Sequence, residues 1–211
     1  AHKSLQEIAA AARKAAVLCR QMLTYAGKGS FAADPLDLNL VAREAAGMVE
    51  KELPPDIRLR LRLSPAPAPA RGDPAQMRQA VVSLLLNASE ALAGAGVVSV
   101  GTGTLVFRGR GAPGLWVAPP RPGTTYAWVE VSDTGKGMSP DGLDHIFEPF
   151  FSTKFMGRGL GLSAVLGIVR GHQGALRVHS GEGLGTTVQL LLPLPPETGE
   201  KEAVDLPPSP H

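Results

Sequence analysis

Apolar residues recur along the first stretch of the chain at Leu5, Ile8, Ala12, Ala15, Cys19, Met22 and Ala26, alternately three and four apart. That spacing is a heptad seam sustained for about three heptads, and it predicts a helix over 1–29 that needs a partner helix, in a bundle or a dimer. Cys19 lies on the seam as a small apolar residue rather than a nucleophile. A second helix is predicted over 39–53, stopped by Pro54 and Pro55. Ile57, Leu59, Leu61 and Leu63 then alternate with arginines, the pattern of a half-buried strand. The Pro/Ala run over 64–69 reads as an extended surface connection.

Asp73-Pro74-Ala75-Gln76 carries three concurring helix-start signals: an Asp N-cap, Pro at the first helical position, and Gln placed to close a capping box. The helix that follows is apolar at Met77, Ala80, Val81, Leu84, Leu85, Ala88 and Leu92, and ends near Gly94 and Gly96. Strands are predicted over 97–107 and 126–131, flanking a Gly/Pro-rich loop over 109–123. A short helix over 141–146, an irregular segment over 147–158 and an apolar helix over 160–170 come next. The ranges 175–179 and 186–192 form an expected hairpin. Beyond 195 the chain turns to Pro and Glu, and 196–211 is read as a disordered tail or linker.

Composition narrows the class without naming a chemistry. The 211 residues are 44% hydrophobic, enough for a real core and too apolar for disorder throughout. No apolar run approaches the roughly 20 residues of a membrane span. No basic-then-apolar leader opens the sequence, so a cytoplasmic setting is expected, with the anchoring of any parent protein left open. One cysteine excludes an internal disulfide framework. The 21 basic and 19 acidic residues are dispersed, which gives no footprint for nucleic acid.

Three short elements could carry chemistry. Asn87 stands in the middle of an apolar helix, where its carbonyl oxygen is a neutral hard ligand suited to Mg²⁺. Asp133 ends a strand and opens Asp133-Thr-Gly135-Lys-Gly137, in which a carboxylate can accept from an exocyclic amine while glycine backbone packs against a flat ligand. Gly157-Arg158-Gly159-Leu160-Gly161-Leu162 opens an apolar helix, where free backbone N–H groups and the dipole favour phosphate. It lacks the Gly-Lys-Ser/Thr of a P-loop.

The order of these elements closely resembles the catalytic ATP-binding domain of bacterial sensor histidine kinases: the Asn87 helix, Asp133-x-Gly135-x-Gly137, Phe147-Glu-Pro-Phe-Phe-Ser-Thr-Lys154, the 157–162 glycines, then Gly185-Thr186. The likeness covers about 36–193 and extends to a wider superfamily that holds gyrase and MutL ATPase domains. It implies an α/β two-layer sandwich of the Bergerat type, a mixed sheet of about five strands backed by three helices, over 30–195. It further implies that Asn87 holds Mg²⁺ against the phosphates of ATP and that Asp133 accepts from the adenine amine. Gly135 and Gly137 would wall the adenine, with Thr186 joining Asp133 through water. Gly159, Leu160, Gly161 and Leu162 would cradle phosphate, and Lys154 and Arg158 would reach it from a mobile lid.

Two departures bear on mechanism. Ser83 stands where the family has a first Asn and where its hydrolysing members have a glutamate base; serine cannot be that base unaided. Ser83 is retained as a candidate at the site, one helical turn from Asn87. None of His2, His145, His172, His179 and His211 sits in the family's phosphoacceptor pattern, and the last four are expected on surfaces. The heptad helix resembles the second helix of the dimerisation hairpin. The implied activity is γ-phosphoryl transfer from Mg-ATP to a histidine on a dimerisation helix outside this sequence, with a response regulator downstream and a homodimer in the full-length protein. The rival readings are a non-catalytic nucleotide-binding scaffold and an ATP-hydrolysing relative.

Overall fold

The computed structural model describes residues 34–92, 94–109, 114–147 and 161–194. The heptad helix, the tail, and Lys154, Arg158, Gly159 and Leu160 lie outside them. In chain order the elements are β1 (Asp34–Asp37), α1 (Leu38–Val49), β2 (Ile57–Arg62), β3 (Pro69–Gly72), α2 (Pro74–Ala91), β4 (Gly96–Val106), β5 (Leu115–Ala118), β6 (Thr125–Asp133), α3 (Pro140–His145), α4 (Gly161–Gly171), β7 (Ala175–Gly181) and β8 (Gly185–Pro193).

The main sheet has six strands, one more than the sequence suggested, in the order β2-β4-β6-β8-β7-β5. Only the β2–β4 pair is parallel; the other four are antiparallel. Alternation sorts each strand into two faces. Val98, Val100, Val129, Val131, Val188, Leu190 and Leu192 are buried toward one of them. On that face lie α1, α2 and α4, which completes the two-layer sandwich. α1 buries Leu38, Val41, Ala42, Ala45, Ala46 and Val49, one stripe of a 3.6-residue helix. In α4 every residue from Ser163 to Val169 is buried, so this helix is covered on all sides.

α2 follows its sequence signals closely. Each apolar position named above from Met77 to Ala88 is buried, and Asp73 Oδ1 accepts from Ala75 N and Gln76 N at 2.8 and 3.2 Å. Such a cap stabilises a helix by about 1 kcal/mol. The capping box does not close, however. The Asp73 N–H donates instead to His172 Nε2 at 2.9 Å, and Gln76 Oε1 is buried with no hydrogen-bond partner among the described residues. His172 therefore corrects the surface expectation: it is 9% exposed, with Nδ1 2.7 Å from Ile168 O, and it ties the end of α4 to the start of α2. His145 and His179 are exposed, as expected.

Other differences have local causes. α1 ends at Val49 rather than 53, since the residue before a proline disfavours the helical region and the chain turns over 50–53. The 64–69 run is not simply a surface connection. Ala68 is fully buried, its N–H donates to Asp37 Oδ1 at 2.9 Å, and β3 follows at once to pair with β1. The 109–123 loop contains β5, which pairs with β7, and Trp116 on it meets Phe107 edge-on at 5.8 Å and Arg177 at 5.7 Å. On the sheet face opposite the helices the Trp128 ring lies over Gly101 and Gly103, where any Cβ would press on it. No helix among the described residues is long and apolar enough to cross a membrane.

Candidate functional site

The site is organised along one face of α2. Ser83, Asn87 and Ala91 follow four residues apart, so each stands about 6 Å along the axis from the next. Gly161, the first residue of α4, abuts the first two. A Cβ there would sit 3.0 Å from Ser83 Oγ, 3.3 Å from Asn87 Nδ2 and 3.5 Å from Asn87 Oδ1. Glycine thus lets the start of α4 approach both polar side chains. Leu162, beside it, is partly buried and packs against the core.

One turn further on, the Ala91 carbonyl meets the loop after β6. Lys136 N donates to Ala91 O at 3.3 Å, and a Cβ on Gly135 would lie 2.6 Å from that oxygen. The loop is pinned on its other side by the β7–β8 turn: Gly183 N donates to Lys136 O at 2.7 Å. Gly137 has φ +64, and a Cβ on it would fall 1.8 Å from Gly181 O. The two glycines of the Asp-x-Gly-x-Gly segment are therefore required by backbone that passes on either side of them.

Asp133 is 7% exposed at the end of β6, and its Oδ1 accepts from Gly135 N at 2.8 Å. Thr186 pairs with Asp133 across β6 and β8, so both side chains leave the sheet on the same face. Burial raises the Asp133 carboxyl above its ordinary range, and backbone donors at Gly135 and Thr186 pull the other way. The sign follows. A carboxyl with a raised folded-state pKa takes up a proton on folding, so its contribution to stability is present at low pH and is lost as pH rises through that raised value. Its capacity to act as an ionised acceptor would run oppositely. Affinity for an amine-bearing base is expected to fall on acidification, beginning above the ordinary Asp value of about 3.9. Titrating an ATP analogue against pH, in the wild type and in Asp133→Asn, checks this. The acid limb should vanish in the variant.

The structure thus brings Ser83, Asn87 and Gly161 into one cluster and Asp133, Gly135, Gly137 and Thr186 into a second, joined by α2. Among the described residues no three His, Cys, Asp or Glu side chains converge in a metal-holding group. Asn87 Oδ1 is the neutral oxygen that could serve Mg²⁺, whose remaining ligands would be phosphate oxygens and water. Sequence reasoning missed Ala91, whose carbonyl anchors the loop, and Ser180, whose Oγ accepts from Met138 N at 3.0 Å and lies 2.9 Å from Thr186 Oγ1. Ser180 stands opposite Thr186 in the β7–β8 register, so extending the first strand of the expected hairpin by one residue would have found it.

A family model described as "Histidine kinase-, DNA gyrase B-, and HSP90-like ATPase" matches residues 72–196. Sensor kinase CckA of Brucella abortus is 34% identical over 202 residues, which cover 93% of this chain and 20% of that protein. Sensor histidine kinase ZraS of Escherichia coli K12 is 32% identical over 195 residues, 92% of this chain and 38% of that protein. The chain therefore spans well under half the length of these curated relatives. Among solved structures, a mycobacterial sensor histidine kinase, MprB, is similar with TM-score 0.59 and 27% identity, over 76% of this chain and 97% of that one.

Proposed function

The chain belongs to the histidine kinase-, DNA gyrase B- and HSP90-like ATPase family, and from that premise we propose that it is the Mg-ATP-binding catalytic portion of a two-component sensor histidine kinase. One observation carries the reading: a single face of α2 joins a polar cluster at the glycine start of α4 to a buried carboxylate walled by glycines. The spacing suits a nucleotide, with its phosphates toward Asn87 and Gly161 and its base toward Asp133.

Each residue has a definite task in this reading. Asp133 accepts from the adenine amine, and Gly135 and Gly137 give the base a flat wall. Thr186 supports Asp133 from the neighbouring strand. The backbone N–H groups at the start of α4 face phosphate, with Lys154, Arg158, Gly159 and Leu160 completing the cradle. Mg²⁺, when bound, neutralises phosphate charge, and Asn87 is the residue that holds it. The chain's own contribution is positioning and charge stabilisation, which is what phosphoryl transfer chiefly asks of a protein. The acceptor is a histidine on a dimerisation helix of the whole protein, which would act as a homodimer and pass the phosphoryl group to a response regulator. Ser83 next to Asn87 supplies no general base for water, so the ATP-hydrolysing alternative lacks its key residue.

The test is calorimetric titration of the chain with a non-hydrolysable ATP analogue, with and without Mg²⁺. Saturable binding strengthened by the metal is expected. In Asn87→Ala the gain from Mg²⁺ should shrink on the order of tenfold or more, while adenosine binds as before. Absence of binding at millimolar analogue would overturn the reading.

A further inference from the structure

Asp133, Thr186 and Ser180 form a row across three adjacent strands, β6, β8 and β7, at one level and on one face. Ser180 Oγ has three polar neighbours: Met138 N at 3.0 Å, Gly185 O at 2.9 Å and Thr186 Oγ1 at 2.9 Å. A hydroxyl has one hydrogen to give and two lone pairs to fill. The Met138 amide can only donate and the Gly185 carbonyl can only accept. The Ser180 hydrogen therefore goes to Gly185 O, and Met138 fills one lone pair. What remains for Thr186 is to donate its own hydrogen to the second lone pair.

Resting on the adenine reading of Asp133, we infer that Ser180 sets the base selectivity of this site by locking the Thr186 hydroxyl as an acceptor. With its only hydrogen committed to Ser180, Thr186 Oγ1 presents lone pairs alone beside Asp133. The ionised carboxylate is also acceptor-only. Two acceptors side by side, acting directly or through a water, suit a base whose edge carries an amine. They offer nothing to a keto oxygen, which is what guanine has where adenine has its amine. Ser180 is a positioning residue here: it acts on the base through Thr186. Without its oxygen, the Thr186 hydroxyl is free to rotate and donate, and a keto oxygen gains a partner.

The experiment titrates non-hydrolysable ATP and GTP analogues into the wild-type chain and into Ser180→Ala. The expected result is a fall of about tenfold in the ATP-to-GTP affinity ratio, from one hydrogen bond redirected. Ser180→Thr, which keeps the hydroxyl, should restore the ratio. In a Thr186→Val background Ser180→Ala should leave the ratio where Thr186→Val put it, because the group that Ser180 orients is gone. If Ser180→Ala fails to fold, Ser180→Cys, with a weak donor and acceptor in the same place, is read the same way. An adenine-selective wild type with an unchanged ratio in the variant, or equal loosening of both analogues, overturns the role of Ser180 and leaves the nucleotide reading standing. A wild-type chain that binds neither analogue overturns both.

Discussion

Asp133→Asn is expected to weaken binding of an ATP analogue by about a hundredfold while changing GTP-analogue binding by less than about threefold. The carboxylate accepts from Gly135 N at 2.8 Å, takes a further backbone donor at Thr186, and in the proposed complex accepts from the adenine amine. A hydrogen bond to a charged group is worth about 1.5–3 kcal/mol, and the upper half of that range corresponds to the stated loss. Asparagine keeps the shape but has one accepting oxygen in place of two. If that oxygen serves Gly135, the amide NH₂ meets the donors that remain. Guanine has a keto oxygen where adenine has its amine, so in the same pose it has no hydrogen there for the carboxylate to accept and has little to lose. The fold should survive, because burial already disfavours the charge that the substitution removes. Calorimetry with both analogues checks this, with thermal unfolding as the control. Equal losses for the two would remove Asp133 from base recognition.

How far the sequence foretold this arrangement differs from element to element, and the reason is physical. α2 was legible in its start and its buried stripe because those signals are local: an N-cap, a proline at the first turn, and apolar positions that find their burial as expected. Its capping box failed because Gln76 competed with His172, a residue 99 positions from Asp73 that only the tertiary fold brings near. Short strands fared worst. β1, β3 and β5 have four residues each, and the first two contain a proline, so nothing in them marks a strand. Their identity comes from the strands they pair with. The strand count came out one low for the same reason, since β5 is defined by β7 alone.

The candidate residues stand out in the sequence because they are costly where they stand. A polar residue in the middle of an apolar helix, a carboxylate at a strand end and closely spaced glycines each carry an energetic penalty, and such penalties persist where a function or a close approach requires them. Asn87, Asp133, Gly135, Gly137, Gly161 and Thr186 all fall into the two clusters on α2. Ser180 carries no such mark. A serine near the end of a hairpin reads as turn chemistry, and only the register that sets it beside Thr186 gives its hydroxyl a direction.

One glycine of the loop after β6 and one of the β7–β8 turn that pins it allow a sharper test of what holds the site together. Gly137 and Gly183 both have positive φ, +64 and +72. They differ in surroundings. A Cβ on Gly183 would meet nothing within 4 Å, whereas one on Gly137 would fall 1.8 Å from Gly181 O and 3.1 Å from Gly185 O. Gly183→Ala therefore measures the left-handed backbone cost alone, about 1 kcal/mol. Gly137→Ala adds a collision with backbone that the β7–β8 ladder keeps in place, and its expected loss is about 4 kcal/mol or more. Urea unfolding of the two variants measures both costs, with similar slopes required for a fair comparison. Equal losses would mean that the loop can leave the hairpin freely. In that case Gly137 would not fix the distance between the proposed base wall and the Asp133–Thr186–Ser180 row. A large difference would mean that the wall and the row move only as one body. In the proposed complex, base selectivity would then depend on the backbone at Gly137 as much as on the side chains assigned to the base.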